Sequence, residues 1–298
     1  MHLQGGSDEK QLSSIDWRFF VAGGVCAACS HGITTPIDVV KTRIQTYPDR
    51  YTQGVLRAAR DIVRTEGVGF LLTGLGPTVL GYGFEGALKF GFYEAFKVLF
   101  ARLTPEKVLN FLMASVVAGA VASVVLCPME DTRIKMVGDP AYAKDNLLSA
   151  FSRLAREHGV LSTFRGLPAM LCKQVPYTMA KQVSFDLFAA VLYGLTRGLK
   201  LRASELQWLI SVGAAFLASI LSCLFSQPGD MILTATANDK DRRSFSRIVA
   251  DIYREHGLGG FFLGLQARLA HVASIITSQL VIYDIVKLAL GLPATGSH

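Results

Sequence analysis

The sequence predicts an all-α membrane protein: six transmembrane helices in three tandem two-helix repeats related by a pseudo-threefold axis. Three observations lead there. Apolar residues gather in long blocks with few charges, such as Phe19 to Val40 and Val108 to Met129, and about 20 such residues span a bilayer as a helix. Only 18% of the 298 residues are charged and the mean hydropathy is +0.37, against ~25% charged in soluble domains. The third observation is a repeat of roughly 90–100 residues marked four times over. A large soluble helical bundle is the alternative that the block pattern disfavours.

The first mark is a proline two residues before an acid at the end of an apolar block: Pro36-Ile37-Asp38, Pro128-Met129-Glu130 and Pro228-Gly229-Asp230, separated by 92 and 100 residues. The second, 27 to 30 residues later, is Glu66-Gly67, Glu157-His158-Gly159 and Glu255-His256-Gly257. The third is a glycine before the next apolar block: Gly74, Gly166 and Gly264. Nineteen residues beyond each glycine stands an aromatic-acid pair: Tyr93-Glu94, Phe185-Asp186 and Tyr283-Asp284. Each unit therefore reads as a long helix, a polar segment holding a short amphipathic helix, and a second long helix. Leu56, Ile62 and Val63 alternate with Arg57, Arg60, Asp61 and Arg64 in a helical pattern. The division is a polar segment over 1–15 and repeats over 16–104, 105–203 and 204–298. Helices satisfy their own backbone in lipid, and an even number places both termini on one side.

Each proline either kinks its helix or ends it; three with a following acid favour a pinch at one end of the bundle. Three residues after the acids Asp38, Glu130 and Asp230 come Lys41, Arg133 and Leu233. This layer of ion pairs lacks its third cation. At the opposite end Glu94, Asp186 and Asp284 are followed by Lys97, Ala189 and Lys287, again one cation short. Two such layers suggest two gates, whereas any single lysine there is explained by snorkelling.

Fifteen residues after each repeat glycine stand Lys89, Lys181 and Gln279, equivalent positions that face one axis at one depth. A membrane-buried charge costs at least ~2.5 kcal/mol, so two cations and an amide converging on a cavity point to a small-anion site. Glu85, one turn before Lys89, either pairs with it when the site is empty or titrates. His31, five residues before the first proline, is a hydrogen-bonded packing residue or a proton carrier. Thr34 and Thr35 offer hydroxyls to a ligand or to the local backbone. Cys26-x-x-Cys29 has the look of a metal or redox motif, yet both are more simply small packing residues. Gly24 and Ala28 have the spacing that lets membrane helices approach.

Composition and motifs exclude other classes. The formal charge is +7, but the basic residues form no tail and no aromatic-interleaved patch, so nucleic acid is not a partner. Five cysteines leave one over from any set of disulfides. The N-terminal stretch lacks a secretory h-region and the Arg-rich pattern of a transit peptide, so targeting is internal or a presequence is missing. No phosphate-binding loop, zinc spacing or nucleophile elbow is present: no catalytic residue, metal or cofactor is expected, and the chain is not an enzyme.

Pro36-Ile-Asp-Val-Val-Lys-Thr-Arg-Ile-Gln45 resembles the signature P-x-[DE]-x-x-[KR] of the mitochondrial carrier family. So do Pro128-Met-Glu-Asp-Thr-Arg133 and, incompletely, Pro228-Gly-Asp230, while Tyr93-Glu94-Ala-Phe-Lys97 resembles its second-gate motif. Gly76-Pro-Thr-Val-Leu-Gly-Tyr82, Ala87-Leu-Lys-Phe-Gly-Phe-Tyr-Glu94, Gln174-Val-Pro-Tyr-Thr-Met-Ala-Lys181 and Ser226-Gln-Pro-Gly-Asp230 look most like the phosphate-carrying branch. The resemblance implies alternating access in the mitochondrial inner membrane. It implies import of inorganic phosphate with protons or in exchange for hydroxide, contact with membrane lipid including cardiolipin, and a monomer. It carries over His31, Thr35, Asp38, Lys41, Lys89, Glu130, Lys181 and Asp230 as functional positions. The first network becomes a matrix-side gate (Asp38, Lys41, Glu130, Arg133, Asp230) and the second a cytoplasmic-side gate (Glu94, Lys97, Asp186, Asp284, Lys287). Substrate would meet Lys89, Lys181, Gln279, Thr35 and Glu85, with His31 and Glu85 coupling protons. Two departures stand out. The acids that branch carries in its third helix fall at Gly119 and Ser123 here, and Glu85 stands where it usually has Gln. Alternatives are another ion on the same fold, such as arsenate, sulfate or copper (for which Cys26, Cys29 and His31 would be invoked), or a non-transporting scaffold.

Overall fold

A computed structural model of the chain describes residues 17–103, 106–198 and 203–289. The described residues form six long helices and three short ones, in the order long, short, long in each repeat: α1 (Trp17–Thr46), α2 (Val55–Glu66), α3 (Leu75–Phe100), α4 (Lys107–Gly138), α5 (Leu147–His158), α6 (Leu167–Gly198), α7 (Ala203–Asn238), α8 (Phe245–His256) and α9 (Leu265–Ala289). The long helices close a ring in which α1 packs on α3, α3 on α4, α4 on α6, α6 on α7, α7 on α9 and α9 on α1.

The distribution of side chains is that of a protein solvated by lipid. Large apolar residues such as Ile33, Phe84, Val183 and Phe225 are exposed on the outside, whereas Asp38, Lys41, Glu130, Arg133 and Asp230 are buried. Four stretches, Phe20–Thr46, Lys107–Gly138, Leu209–Asn238 and Phe245–Gln279, are long and apolar enough to cross a membrane, and Val68–Phe100 joins them when taken with the sharply bent α2. Helix α6 has the length but carries Lys173, Gln174 and Lys181, which turn to the interior cavity instead of the lipid.

The repeat marks have physical causes. Each short helix has 12 residues and buries the same two positions: Ala58 and Ile62, Ala150 and Leu154, Ile248 and Ile252. Each ends at a glycine of positive φ, namely Gly67 (89°), Gly159 (82°) and Gly257 (61°), a conformation that costs a residue with a Cβ. That is why the second mark is an acid followed closely by Gly. A 3₁₀ turn then leads into the next long helix.

The prolines do not end their helices. From Pro36 to Thr46, Pro128 to Gly138 and Pro228 to Asn238, each helix runs on for ten residues. Buried hydroxyls bond carbonyls around each proline: Thr35 Oγ1 donates to His31 O (3.0 Å), Thr132 Oγ1 to Pro128 O (2.8 Å) and Ser226 Oγ to Ser222 O (2.7 Å).

Close approaches explain several small residues. A Cβ on Gly24 would stand 3.0 Å from Gly83 O, and one on Gly86 would stand 2.7 Å from Gly23 O, so α1 and α3 meet backbone to backbone. Gly229 lies against the backbone of Cys172 and Lys173, where a Cβ would come within 2.6 Å of Lys173 Cα. At the equivalent contact between α4 and α3 the glycine is on the facing helix, where a Cβ on Gly81 would stand 2.8 Å from Met129 Cβ.

An interior cavity closed by a ring of ion pairs

One acid from each proline-bearing helix, Asp38 of α1, Glu130 of α4 and Asp230 of α7, meets its neighbours below the cavity, all three at most 3% exposed. Arg133 binds Glu130 through Nε and Nη2 (both 2.9 Å) and reaches across to Asp38, joining α1 to α4. Lys41 Nζ lies 3.1 Å from Asp38 and 3.2 Å from Asp230, joining α1 to α7. Gln45 Nε2 donates to Asp230 Oδ2 (3.0 Å), and Tyr82 Oη donates to Glu130 (3.3 Å).

The expected vacancy at Leu233 is filled from elsewhere. Leu233 is 1% exposed in an apolar cluster with Ile134 and Met170. The third side of the ring is closed by Lys173 of α6, whose Nζ lies 3.0 Å from Asp230 and 3.5 Å from Glu130. Arg268 of α9 adds a contact of 3.7 Å to Asp230 and is held by Ser226, whose Oγ accepts from Nη2 at 2.6 Å. The ring thus holds three acids and four cations, all buried or nearly so, and the network is complete, not weakened. Sequence spacing contained the signal for Lys173. It stands seven residues after Gly166, as His271 does after Gly264 and Gly81 after Gly74. Seven and fifteen differ by two helical turns, so these residues share a face with Lys181, Gln279 and Lys89. Arg268 has Thr78 and Met170 as counterparts, and no symmetry rule would have found it.

Above the ring lies a cavity of about 430 Å³. Lys89, Lys181 and Gln279 all line it, as do Glu85, His31, Asp38, Lys41 and Asp230. Lys89 Nζ is 3.2 Å from Glu85 Oε1. Lys181 makes no ion pair among the described residues; its Nζ lies 5.8 Å from the Tyr177 ring centroid. One central cation is therefore paired within its own helix, and the other has no ion-pair partner among the described residues. The His31 ring stacks on Tyr82 at 3.7 Å between centroids, and its Nδ1 has no hydrogen-bond partner.

Thr35 departs from the expectation that it meets substrate. It is not among the residues lining the cavity, and its hydroxyl is spent on His31 O. Cys26 is buried with its Sγ 3.6 Å from Gln279 O, while Cys29 is exposed, and no group of metal-ligating side chains occurs among the described residues. Cys26 packs between α1 and α9, whereas Cys29 faces outward. Gly119 and Ser123 are buried; a Cβ on Gly119 would stand 3.4 Å from Gln174 Nε2, an amide with no acceptor.

At the opposite end the side chains of Glu94, Asp186, Asp284 and Lys287 lie outside the described residues. Lys97 Nζ lies over the rings of Tyr93 and Phe111, at 5.3 and 5.6 Å.

Comparison with known proteins gives the same architecture. The family model described as "Mitochondrial carrier protein" matches three times, over residues 16–103, 104–195 and 204–292. The chain is 37% identical to mitochondrial substrate carrier family protein N of Dictyostelium discoideum, over 94% of this chain and 96% of that one. It is 32% identical to a probable mitochondrial phosphate carrier protein of Schizosaccharomyces pombe, over 92% of this chain and 91% of that one. Identity to solute carrier family 25 member 3 of Homo sapiens is 30%, over 93% and 78% of the two chains. With three copies of the motif, a ring of six long helices and a charged cavity on its axis, the chain belongs to the mitochondrial carrier family: it is a multi-pass solute carrier of the mitochondrial inner membrane, not an enzyme.

Proposed function

We propose that the chain imports inorganic phosphate together with protons, or in exchange for hydroxide, by alternating access. The observation that carries this is the convergence of Lys89 and Lys181 on one cavity, with no ion-pair partner for Lys181 among the described residues. A cation in a low-dielectric cavity attracts a small anion strongly, and a phosphate oxygen accepts charge-assisted hydrogen bonds from two ammonium groups and the Gln279 amide. The relatives named as phosphate carriers support the choice of anion.

In this scheme the ring of Asp38, Lys41, Glu130, Arg133, Lys173 and Asp230 is the matrix-side gate, and Glu94, Lys97, Asp186, Asp284 and Lys287 form the cytoplasmic-side gate. Bound phosphate displaces Lys89 from Glu85, leaving that carboxylate to take a proton. His31, with a free Nδ1 at the cavity wall, is the second group available for a proton. The orphaned Gln174 amide beside Gly119 fits the loss of a carboxylate from α4 and a shift of coupling to these groups. The cavity lies within one chain, so a monomer suffices, and anionic lipid such as cardiolipin is the surrounding partner.

The test is uptake of radiolabelled phosphate into liposomes holding the purified chain. Uptake accelerated by an acidic exterior supports the proposal; no phosphate uptake with or without a pH gradient refutes it.

A further inference from the structure

The imidazole of His271 on α9, the third-repeat counterpart of Lys173, stands between the cavity and the ion-pair ring, 6% exposed. Its Nε2 lies 3.1 Å from Thr34 Oγ1, and its Nδ1 lies 3.4 Å from Asp38 Oδ1. The partners decide what the ring must carry. Thr34 has one hydroxyl proton, and it donates this to Ser30 O at 2.9 Å. Toward His271 that oxygen is therefore an acceptor. Asp38 is a carboxylate held by Arg133 and Lys41 and can only accept. No hydrogen bond of sound geometry reaches its Oδ1, so both the imidazole at 3.4 Å and Lys41 Nζ at 3.1 Å meet it as ion-pair contacts. Both ring nitrogens thus face acceptors. A neutral imidazole has a single N–H and turns a lone pair toward one of these oxygens; an imidazolium presents an N–H to each.

We infer that His271 is a proton-binding site of the transport cycle, charged while the matrix-side ring is closed and discharged when that ring opens. The inference rests on the proton-coupled reading above. The surrounding charges oppose one another, and Asp38 is the anion nearest the ring. Asp38 of α1 and Asp230 of α7 favour the charged ring. Lys41 of α1, Arg133 of α4 and Arg268 of α9 itself oppose it, as do burial and any charge on His31, whose ring centre is 6.1 Å away. That balance depends on Asp38 staying where it is. Opening the ring must separate α1 from its neighbours, because Asp38 and Lys41 tie α1 to α4 and α7. As α1 withdraws it takes Asp38 and Lys41 with it, so the ring loses its nearest anion while Arg133 of α4 and Arg268 of α9 remain, and the proton leaves. The balance is simple: one proton enters from cavity water onto the ring nitrogen and the same proton exits to the matrix side, with no covalent bond in phosphate made or broken. The charged ring also adds a fastening between α9 and α1 in the closed state, which makes proton loading and gate closure one event.

The experiment uses the full chain in liposomes and the variant His271→Gln. Its amide retains one polar contact at the site and cannot titrate. Phosphate-for-phosphate exchange without a pH gradient is expected to stay within about threefold of the parent, while net uptake driven by a pH gradient falls at least about tenfold and loses its dependence on external pH. Thr34→Val, which removes one of the two acceptors but keeps the histidine, is expected to retain net uptake with its midpoint moved to lower pH. Full net uptake by His271→Gln with the parental pH profile overturns the inference. Equal loss of exchange and net uptake also overturns it, since that is the mark of a structural role. Failure of the parent in both assays refutes the phosphate reading instead. In that case the site is read directly from NMR of chain labelled at its six histidines, with the His271 signal assigned by difference. A ring that titrates between about pH 5 and 8 supports the inference and one that stays neutral throughout overturns it.

Discussion

Replacing Lys173 by Met tests whether α6 truly closes the ring. The ammonium sits 3.0 Å from Asp230 and 3.5 Å from Glu130, and its side chain is 16% exposed. At an effective dielectric of about 20, each contact is a gross attraction of about 5 kcal/mol. Desolvation of the ammonium offsets much of that, and removing one partner of a buried pair costs about 3–5 kcal/mol net. Asp230 keeps Lys41 at 3.2 Å and Arg268 at 3.7 Å, and Glu130 keeps Arg133, so the lower end, about 3 kcal/mol, is expected. That is a factor of roughly 100 in the ratio of closed to open ring. Thermal unfolding of the purified chain in detergent should show a fall of about 5–10 °C. A double-mutant cycle with Asp230→Asn isolates the contact, because the double variant should lose much less than the sum of the two single ones. Additivity within about 0.5 kcal/mol would show that the two residues do not interact and would refute the ring as described.

Three other outcomes follow from the same geometry. Glu85→Gln removes the group that holds Lys89 at 3.2 Å; phosphate should bind several-fold more tightly at fixed pH while uptake driven by a pH gradient declines, and retention of full gradient-driven uptake would exclude Glu85 from coupling. Leu233→Lys, which restores the repeat's missing cation on paper, places an ammonium in an apolar cluster beside Gly166, whose added Cβ would already stand 2.8 Å from the leucine; a loss of at least about 3 kcal/mol is expected, seen as a lower unfolding temperature, whereas a more stable protein would mean that the ring does lack a cation there. Gly229→Ala drives a methyl into the backbone of α6 at Cys172 and Lys173; a cost of about 1–3 kcal/mol with slower phosphate exchange is expected, and an unchanged unfolding temperature would deny the close approach.

Much of the candidate site was legible because symmetry is written in one dimension. Equal spacing from the repeat glycines placed Lys89, Lys181 and Gln279 on one cavity, and the proline-linked acids were found at one level. The same rule misled where the third copy departs from the others. By spacing alone Leu233 is a gap in the ring, but its side chain is fully committed to the core between α4, α6 and α7. For Thr35 the family resemblance implies a ligand and the sequence also allows a bond to the local backbone; its hydroxyl serves its own helix.

By itself, then, the sequence determined the six helices, their threefold order, the turns made by Gly67, Gly159 and Gly257, and the common level of Asp38, Glu130 and Asp230. All of these depend on local conformation and on hydropathy along the chain, which neighbouring residues settle. Only the tertiary structure decided which charges meet. Lys173 and Arg268 reach Asp230 from helices that precede and follow it by dozens of residues, and His271 finds Asp38 across the seam between α9 and α1. Such pairings are set by the closure of the ring of helices, a distance in space that no interval in the chain encodes.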